Sequence, residues 1–127
     1  MDKILVVEDN ERNRKLVRII LHSKGYELIE AATGEEAIIH LKNGKPDLIL
    51  LDIQLPHMDG LKLTKIIRDN EDTKDIPIIA LTAYAMKGDR ERILGAGCDD
   101  YISKPIDTRQ LPVNVEKIIR KSREKTK

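Results

Sequence analysis

Short apolar runs alternate with amphipathic segments along the chain, and this alternation restricts the fold more than any other feature. Five runs have the length and composition of β-strands, and each is followed by a segment whose apolar residues have helical spacing. The runs begin at or near Ile4, Tyr26, Leu48, Pro77 and Tyr101. Strands that alternate with helices pair in parallel through right-handed crossovers. The pattern therefore predicts an α/β fold in which an open parallel sheet has helices on both faces.

The composition of each strand predicts its place in the sheet. Residues 4–7 (ILVV) and 48–51 (LILL) are unbroken apolar runs, as expected for strands that are buried on both faces. Residues 26–31 (YELIEA) instead carry Glu27 and Glu30 among their apolar residues, which is typical of an edge strand. We therefore expect the first and third strands in the middle of the sheet and the second at an edge.

The helices have recognisable starts and stops. Thr33 precedes Glu36 by three residues, the spacing of a capping box, and predicts a helix that ends before Gly44. The other helices are predicted over residues 11–24, 60–69 and about 89–96, and from about Thr108 into the charged tail. Proline is tolerated in a first helical turn and costs about 3 kcal/mol deeper in a helix. Because Pro112 lies close to the predicted start of the last helix, we expect that helix to begin late or to bend.

The composition is that of a single globular domain. The 127 residues are 40% hydrophobic and 35% charged, and we expect residues 1–127 to form one domain without an effector domain. The net charge of +1 gives no reason to expect nucleic-acid or membrane binding. The single cysteine, Cys98, excludes a disulfide framework and is typical of a cytoplasmic protein. No apolar run approaches the roughly 20 residues of a membrane span.

Polar side chains follow the apolar runs at the points where the predicted strands end. Glu8 and Asp9 follow the first strand, Asp52 the third, Thr82 the fourth and Lys104 the fifth. In an open parallel sheet, ligands bind outside the carboxyl ends of the strands. We expect these side chains to lie just past the strands rather than inside them. Three carboxylates, one hydroxyl and one ammonium group should then meet at one edge of the sheet.

Such a group of side chains favours a hard cation and a phosphate. Two like charges 4 Å apart repel by about 4 kcal/mol at an effective dielectric constant near 20, and a cation would relieve that repulsion. Because all the candidate ligands are oxygens and some positions are left for water, Mg²⁺ fits better than a closed Ca²⁺ cage. Thr82 could donate a hydrogen bond to a phosphate, and Lys104 could pair with its charge. An aspartate can itself accept a phosphoryl group as a nucleophile.

Four segments, taken together, resemble the receiver domain of two-component response regulators. They are VVEDN (6–10), DLILLDIQLPHMDG (47–60), IIALTAYAMKGD (78–89) and DDYISKPI (99–106). The resemblance covers essentially the whole domain. The sequences of these segments are especially similar to those of single-domain regulators of the DivK type and of receivers of hybrid histidine kinases. It implies a flavodoxin-like, CheY-like three-layer sandwich with the strand order 2-1-3-4-5.

The resemblance also implies a role for each polar residue at the sheet edge. Asp52 is expected to be the phosphoacceptor. Asp9 and Asp52 are expected to ligate Mg²⁺ with their side chains, Glu8 largely through water, and Gln54 with its backbone carbonyl. Mn²⁺ is a possible substitute. Thr82 and Lys104 are expected to contact the phosphoryl group.

Further residues are expected to act in the switch and in the lifetime of the phosphoryl group. Tyr101 is the expected switch aromatic, which turns inward when the hydroxyl of Thr82 is drawn toward the phosphate. Gln54 and Tyr84 lie two residues after Asp52 and Thr82 and are expected to affect hydrolysis. The bond between Lys104 and Pro105 is expected to be cis.

The implied function is that of a phosphoacceptor in two-component signalling. The phosphoryl group is expected to come from the phosphohistidine of a histidine kinase or histidine phosphotransfer domain. The output is expected to be binding of a downstream protein by the face formed by helix four, strand five and helix five. We expect a cytoplasmic monomer or weak dimer that catalyses its own phosphorylation and dephosphorylation and is not a dedicated metabolic enzyme.

Three alternative functions can be compared with this interpretation. A Mg²⁺-dependent phosphohydrolase of the haloacid-dehalogenase type needs a second aspartate two positions after the first, where this chain has Gln54. A nucleotide-binding module would need a G-x-G-x-x-G or G-K-[ST] loop, which the chain lacks. A degenerate receiver that only binds partners is disfavoured by the complete set of Asp9, Asp52, Thr82 and Lys104.

Overall fold

The structure, a computed structural model, describes residues 2–55, 58–83 and 87–125. One parallel sheet contains the five strands in the order β2-β1-β3-β4-β5. The strands are β1 Lys3–Val7, β2 Glu27–Ala31, β3 Leu48–Asp52, β4 Ile78–Thr82 and β5 Asp100–Ser103. The predicted α/β class and strand order are confirmed.

Five helices cover the two faces of the sheet. They are α1 Glu11–His22, α2 Gly34–Asn43, α3 Gly60–Asp69, α4 Lys87–Gly95 and α5 Gln110–Lys125. Helices α2, α3 and α4 pack on one face, for example through Ala37, Leu63 and Ile93. Helices α1 and α5 pack on the other face, for example through Val17 and Val115. No helix within the described ranges is long and apolar enough to cross a membrane.

The central strands are buried on both faces, as their composition predicts. Leu5 of β1 contributes to the core under α2, α3 and α4, whereas its neighbour Ile4 contributes to the core under α1 and α5. Both residues are at most 1% exposed. Burying a side chain of this size stabilises the fold by roughly 1.5–3 kcal/mol. Strand β2 lies at the sheet edge and leaves Glu27 exposed, which confirms its predicted place.

Two helices begin at residues that differ from the predicted ones. Helix α5 begins at Gln110 rather than Thr108, because Pro112 has no N–H to donate to the carbonyl of Thr108. Asp107 Oδ1 caps the preceding turn by accepting hydrogen bonds from the backbone N–H groups of Arg109 (2.8 Å) and Gln110 (3.1 Å). Pro112 therefore lies in the first turn, where it is tolerated. Helix α4 spans Lys87–Gly95, two residues earlier at its start than predicted over 89–96.

The predicted cap of α2 is present in a modified form. Thr33 Oγ1 accepts a hydrogen bond from the N–H of Glu36 at 3.1 Å. The carboxylate of Glu36 accepts in return from the N–H of Ala32 at 2.8 Å, one residue before the expected partner. Two backbone donors at the start of the helix are thus satisfied, as in a capping box.

Candidate functional site

Asp52 and Thr82 lie inside the sheet rather than past it, and the prediction that no polar site residue lies in a strand is wrong. Asp52 is the last residue of β3 and is 1% exposed, and Thr82 is the last residue of β4 and is 0% exposed. The sheet ladder extends past both residues. The N–H of Ile53 donates to Leu81 O at 3.1 Å, and the N–H of Lys104 donates to Thr82 O at 2.8 Å.

The ammonium group of Lys104 lies between two buried carboxylates. Its Nζ atom is 2.7 Å from Asp52 Oδ2 and 3.2 Å from Glu8 Oε1. The Glu8 side chain is fully buried and that of Lys104 is 18% exposed. Burying an unpaired carboxylate is costly, so Lys104 offsets part of the cost of holding two together. The peptide bond between Lys104 and Pro105 is cis.

Glu8, Asp9 and Asp52 form an acidic cluster at the carboxyl ends of β1 and β3. Each offers one carboxylate oxygen, and these oxygens lie within 4.8 Å of one another. Asp9 is exposed, whereas Glu8 and Asp52 are buried. The donors are all hard oxygens, and three carboxylates outnumber the one ammonium group among them. The cluster therefore fits a Mg²⁺ site.

The two buried carboxyls have opposite pKa shifts. The pKa of Glu8 is raised to about 7, first by burial and then by its hydrogen bond with Asp52, although Asn13 and Lys104 act to lower it. Burial would also raise the pKa of Asp52, but hydrogen bonds with Glu8, Lys104 and the backbone N–H of Gln54 outweigh burial and lower it. Below about pH 7 Glu8 therefore holds a proton, whereas Asp52 is ionised.

Gln54 contributes a backbone hydrogen bond to Asp52. Its N–H donates to Asp52 Oδ1 at 2.9 Å, while Lys104 contacts the other oxygen, Oδ2. Both oxygens of Asp52 are thus held by donors, which fixes the plane of the carboxylate. The side chain of Gln54 is exposed at the rim of the site.

Tyr101 lies in β5 next to the site, at a half-buried position. It is paired with Ala80 of β4 in the parallel register and packs against the core under α2, α3 and α4. Thr82, two residues further along β4, is paired with Ser103. The expected switch pair therefore lies on neighbouring strands. Tyr84, the second expected lifetime residue, lies outside the described residues.

Two residues near the site were missed by reading the sequence for catalytic residue types. Asn13 Nδ2 donates to Glu8 Oε1 at 2.6 Å. Arg14 donates to the backbone carbonyls of Glu8 at 2.8 Å and Asp9 at 3.3 Å. The available signal was their place in the first turn of a helix that starts directly after the acidic pair, because first-turn side chains point back toward the preceding loop.

Gly60 was also missed, and it acts through close backbone packing. A Cβ atom at this position would lie 2.3 Å from Ile53 Cα and 2.6 Å from Asp52 O. The start of α3 therefore rests against the backbone that follows the β3 carboxylate. Only the absence of a side chain permits this approach.

A groove on the surface of the described residues lies away from the acidic cluster. It has a volume of about 980 Å³ and is lined by α5 residues such as Val113 and by Asp2 and Tyr26. Neither Glu8 nor Asp52 contributes to its walls.

Comparison with known proteins agrees with this geometry. The model of the response regulator receiver domain matches residues 4–116. A curated relative, the polar-differentiation response regulator DivK of Brucella ovis, is 52% identical over 103 residues, which cover 81% of this chain and 84% of the relative. The chain belongs to the response regulator receiver domain family, and it is the receiver domain of a two-component response regulator.

Solved structures of receivers have the same fold. The receiver domain of a sensor histidine kinase from Pseudomonas aeruginosa, with a magnesium ion coordinated in its active site cleft, is 40% identical, with a TM-score of 0.85 and coverage of 93% of this chain and 97% of that one. A CheY-like receiver protein from Methanospirillum hungatei is 30% identical, with a TM-score of 0.90 and 98% coverage of both chains. The resemblance drawn from the four sequence segments is thereby confirmed.

Proposed function

We propose that this receiver accepts a phosphoryl group on Asp52 from the phosphohistidine of a histidine kinase or histidine phosphotransfer domain. The observation that carries the proposal is the buried Asp52 carboxylate with Lys104 Nζ at 2.7 Å. The lowered pKa of Asp52 keeps it ionised, which is the form that attacks phosphorus. Lys104 would pair with the negative oxygens of the transferring group.

The proposed transfer forms an aspartyl phosphate. A carboxylate oxygen of Asp52 attacks phosphorus while the bond from phosphorus to the histidine nitrogen breaks, and that nitrogen keeps the electron pair. In the later hydrolysis, water attacks phosphorus, and the Asp52 carboxylate and inorganic phosphate are released. The chain would catalyse both steps on itself, so it is a phosphoacceptor and not a dedicated metabolic enzyme.

The acidic cluster would hold the cation that this chemistry requires. We assign direct side-chain ligation to Asp9 and Asp52, ligation through water to Glu8, and backbone carbonyl ligation to Gln54. Mg²⁺, or Mn²⁺ with a similar preference for oxygen ligands, would supply positive charge to the phosphoryl oxygens when bound. The similarity to a receiver that holds magnesium in its cleft supports this assignment.

The proposed output is a change of the surface formed by α4, β5 and α5. The hydroxyl of Thr82 would be drawn toward the phosphoryl group and vacate space for Tyr101, which is half-buried on the next strand. A downstream protein that prefers the second arrangement would then bind this face. The position of Lys104 directly after β5 supports a link between the site and this surface.

We also propose that Gln54 and Tyr84 control how long the phosphoryl group remains. Gln54 is exposed beside Asp52. Tyr84 is bulky and would restrict attacking water, so Tyr84→Ala should shorten the lifetime measured by loss of phosphate after removal of the donor. A variant that decays no faster than the wild type would contradict the role of Tyr84.

Phosphorylation by a small donor tests the main proposal. The chain is incubated with Mg²⁺ and acetyl phosphate, and intact mass spectrometry follows the addition of one phosphoryl group. We expect addition to the wild type and to Asp69→Asn, a matched change at an exposed position on α3, and none to Asp52→Asn. Absence of an Asp52-dependent mass increase would favour a degenerate binding module. Sustained turnover of phosphate esters would favour a phosphohydrolase.

A further inference from the structure

The first turn of α1 supplies a neutral hydrogen-bond donor to the acidic cluster. Asn13 Nδ2 donates to Glu8 Oε1 at 2.6 Å, closer than the 3.2 Å between Lys104 Nζ and the same oxygen. Asn13 is half-buried and Glu8 is 0% exposed. The amide is therefore the nearer of these two donors to a carboxylate that has no access to bulk water.

Asn13 is itself held in place by the start of the helix. Its backbone N–H donates to the cap residue Asn10 at Oδ1, at 3.0 Å. The neighbouring Arg14 donates to the backbone carbonyls of Glu8 at 2.8 Å and Asp9 at 3.3 Å. Glu8 and Asp9 are thus bound to α1 through their backbone carbonyls and through the Glu8 side chain. The backbone of Asn13 is also held in place, so its amide approaches Glu8 from a fixed position.

A neutral donor has an effect that an ammonium group cannot have. Lys104 orients Glu8 but also cancels negative charge, and the proposed function requires its Nζ atom to contact the transferring phosphoryl group. The amide of Asn13 orients Glu8 without adding a positive charge that would compete with a cation. It can also remain on Oε1 if Lys104 moves, because Asn13 belongs to the start of α1 and not to the segment after β5.

We infer that Asn13 is a positioning residue that orients the Glu8 carboxylate and thereby strengthens cation binding at the acidic cluster. The inference rests on the proposed function, because it assumes that the cluster binds Mg²⁺. Side chains that orient ligating groups commonly change metal affinity by about tenfold to a hundredfold when they are removed. We expect the effect of Asn13 on Mg²⁺ affinity to lie at the lower end of this range, since Glu8 is assigned to ligate the cation through water.

The inference is tested by measuring the Mg²⁺ affinity of the whole chain with and without the side-chain amide of Asn13. Asn13→Leu removes the donor at similar size, and leucine favours a helix more than asparagine does. Asn43→Leu makes the same chemical change at an exposed position at the end of α2 and serves as the control. In an NMR titration with MgCl₂, we expect about tenfold weaker binding for Asn13→Leu and wild-type binding for Asn43→Leu.

Two further measurements separate positioning from a general structural role. The deficit of Asn13→Leu in phosphorylation by acetyl phosphate should disappear at saturating Mg²⁺, because only cation binding is weakened. A lower melting temperature with unchanged Mg²⁺ affinity would overturn the inference, and so would a deficit that persists at saturation. If Asn13→Leu does not fold, Asn13→Ala is measured in the same way. Failure of the wild type itself to bind Mg²⁺ would overturn the proposed function instead.

Discussion

Lys104 reaches the site from the segment after β5, and its Nζ atom contacts Asp52 at 2.7 Å and Glu8 at 3.2 Å. Lys104→Met keeps most of the stem and removes the charge. We expect phosphorylation by acetyl phosphate to slow by roughly a hundredfold, the usual order for loss of one charge-stabilising donor. Lys121→Met, at an exposed position of α5, should leave the rate unchanged. An unchanged rate for Lys104→Met would contradict the contact of Lys104 with the transferring group.

Protonation of Glu8 should make both stability and Mg²⁺ binding depend on pH. Its pKa is raised from 4.5 to about 7, chiefly by burial. Between these values the folded, metal-free chain binds more protons than the unfolded chain, so its free energy of unfolding falls as pH rises. Asp52 does not titrate in this window, because its pKa is lowered from 3.8.

Binding of Mg²⁺ opposes that loss, because it favours the deprotonated carboxylate. We expect saturating Mg²⁺ to raise the melting temperature more at about pH 8 than at about pH 6, since affinity increases until Glu8 is deprotonated. Glu8→Gln, which cannot titrate, should show a smaller difference between the two pH values. Equal Mg²⁺-induced shifts at both pH values in the wild type would refute the raised pKa of Glu8.

At the scale of elements, the start of α3 supports the loop that follows Asp52. In Gly60→Ala the new Cβ would lie 2.3 Å from Ile53 Cα, and backbone atoms cannot move aside as a flexible side chain can. We expect a loss of about 1–3 kcal/mol in the free energy of unfolding by urea, the usual range for overpacking. Gly95→Ala in α4 is the matched control and should be neutral or stabilising, because no described atom outside its own stretch of the helix lies within 4 Å of the added Cβ. Equal stabilities for the two variants would contradict this account.

The elements that could be predicted from sequence are those governed by local patterns. The continuous apolar runs of β1 and β3 and the spacing from Thr33 to Glu36 carry their own signal, so their existence and type were confirmed. The boundaries were less accurate, because they depend on single backbone hydrogen bonds. Helix α5 begins at Gln110 because Pro112 has no N–H for the carbonyl of Thr108, and the periodicity of the helix does not reveal to which residue this displaces the start.

At the scale of the whole molecule, the sheet topology predicted which side chains meet at the site. It did not predict the individual contacts between them. Parallel strands place their carboxyl ends at one edge, so Glu8, Asp52 and Lys104 could be brought together from sequence alone. The ladder past Asp52, the amide of Asn13 and the close approach of Gly60 depend on distances in space between segments. No sequence period encodes those distances.

Lys104, directly after the end of β5, connects the acidic cluster to the proposed output surface. Lys104 N donates to Thr82 O at 2.8 Å, while its Nζ atom holds Asp52 at 2.7 Å. Movement of that ammonium group to a phosphoryl oxygen would therefore shift the segment between β5 and α5. Helix α2 instead packs against β1 and β2.

Hydrogen exchange should report this connection. After phosphorylation by acetyl phosphate, we expect altered exchange over β5 and residues 104–111, and little change over Gly34–Asn43 of α2. Asp52→Asn under the same conditions should match the unphosphorylated wild type, because the effect requires the acyl phosphate and not the reagent. Changes confined to residues 52–60 would mean that the structural effect of the phosphoryl group stays close to Asp52. The proposed use of α4, β5 and α5 as the output face would then be wrong. Changes that reach β5 and α5 but spare α2 would place the two-state element where a downstream protein can bind it.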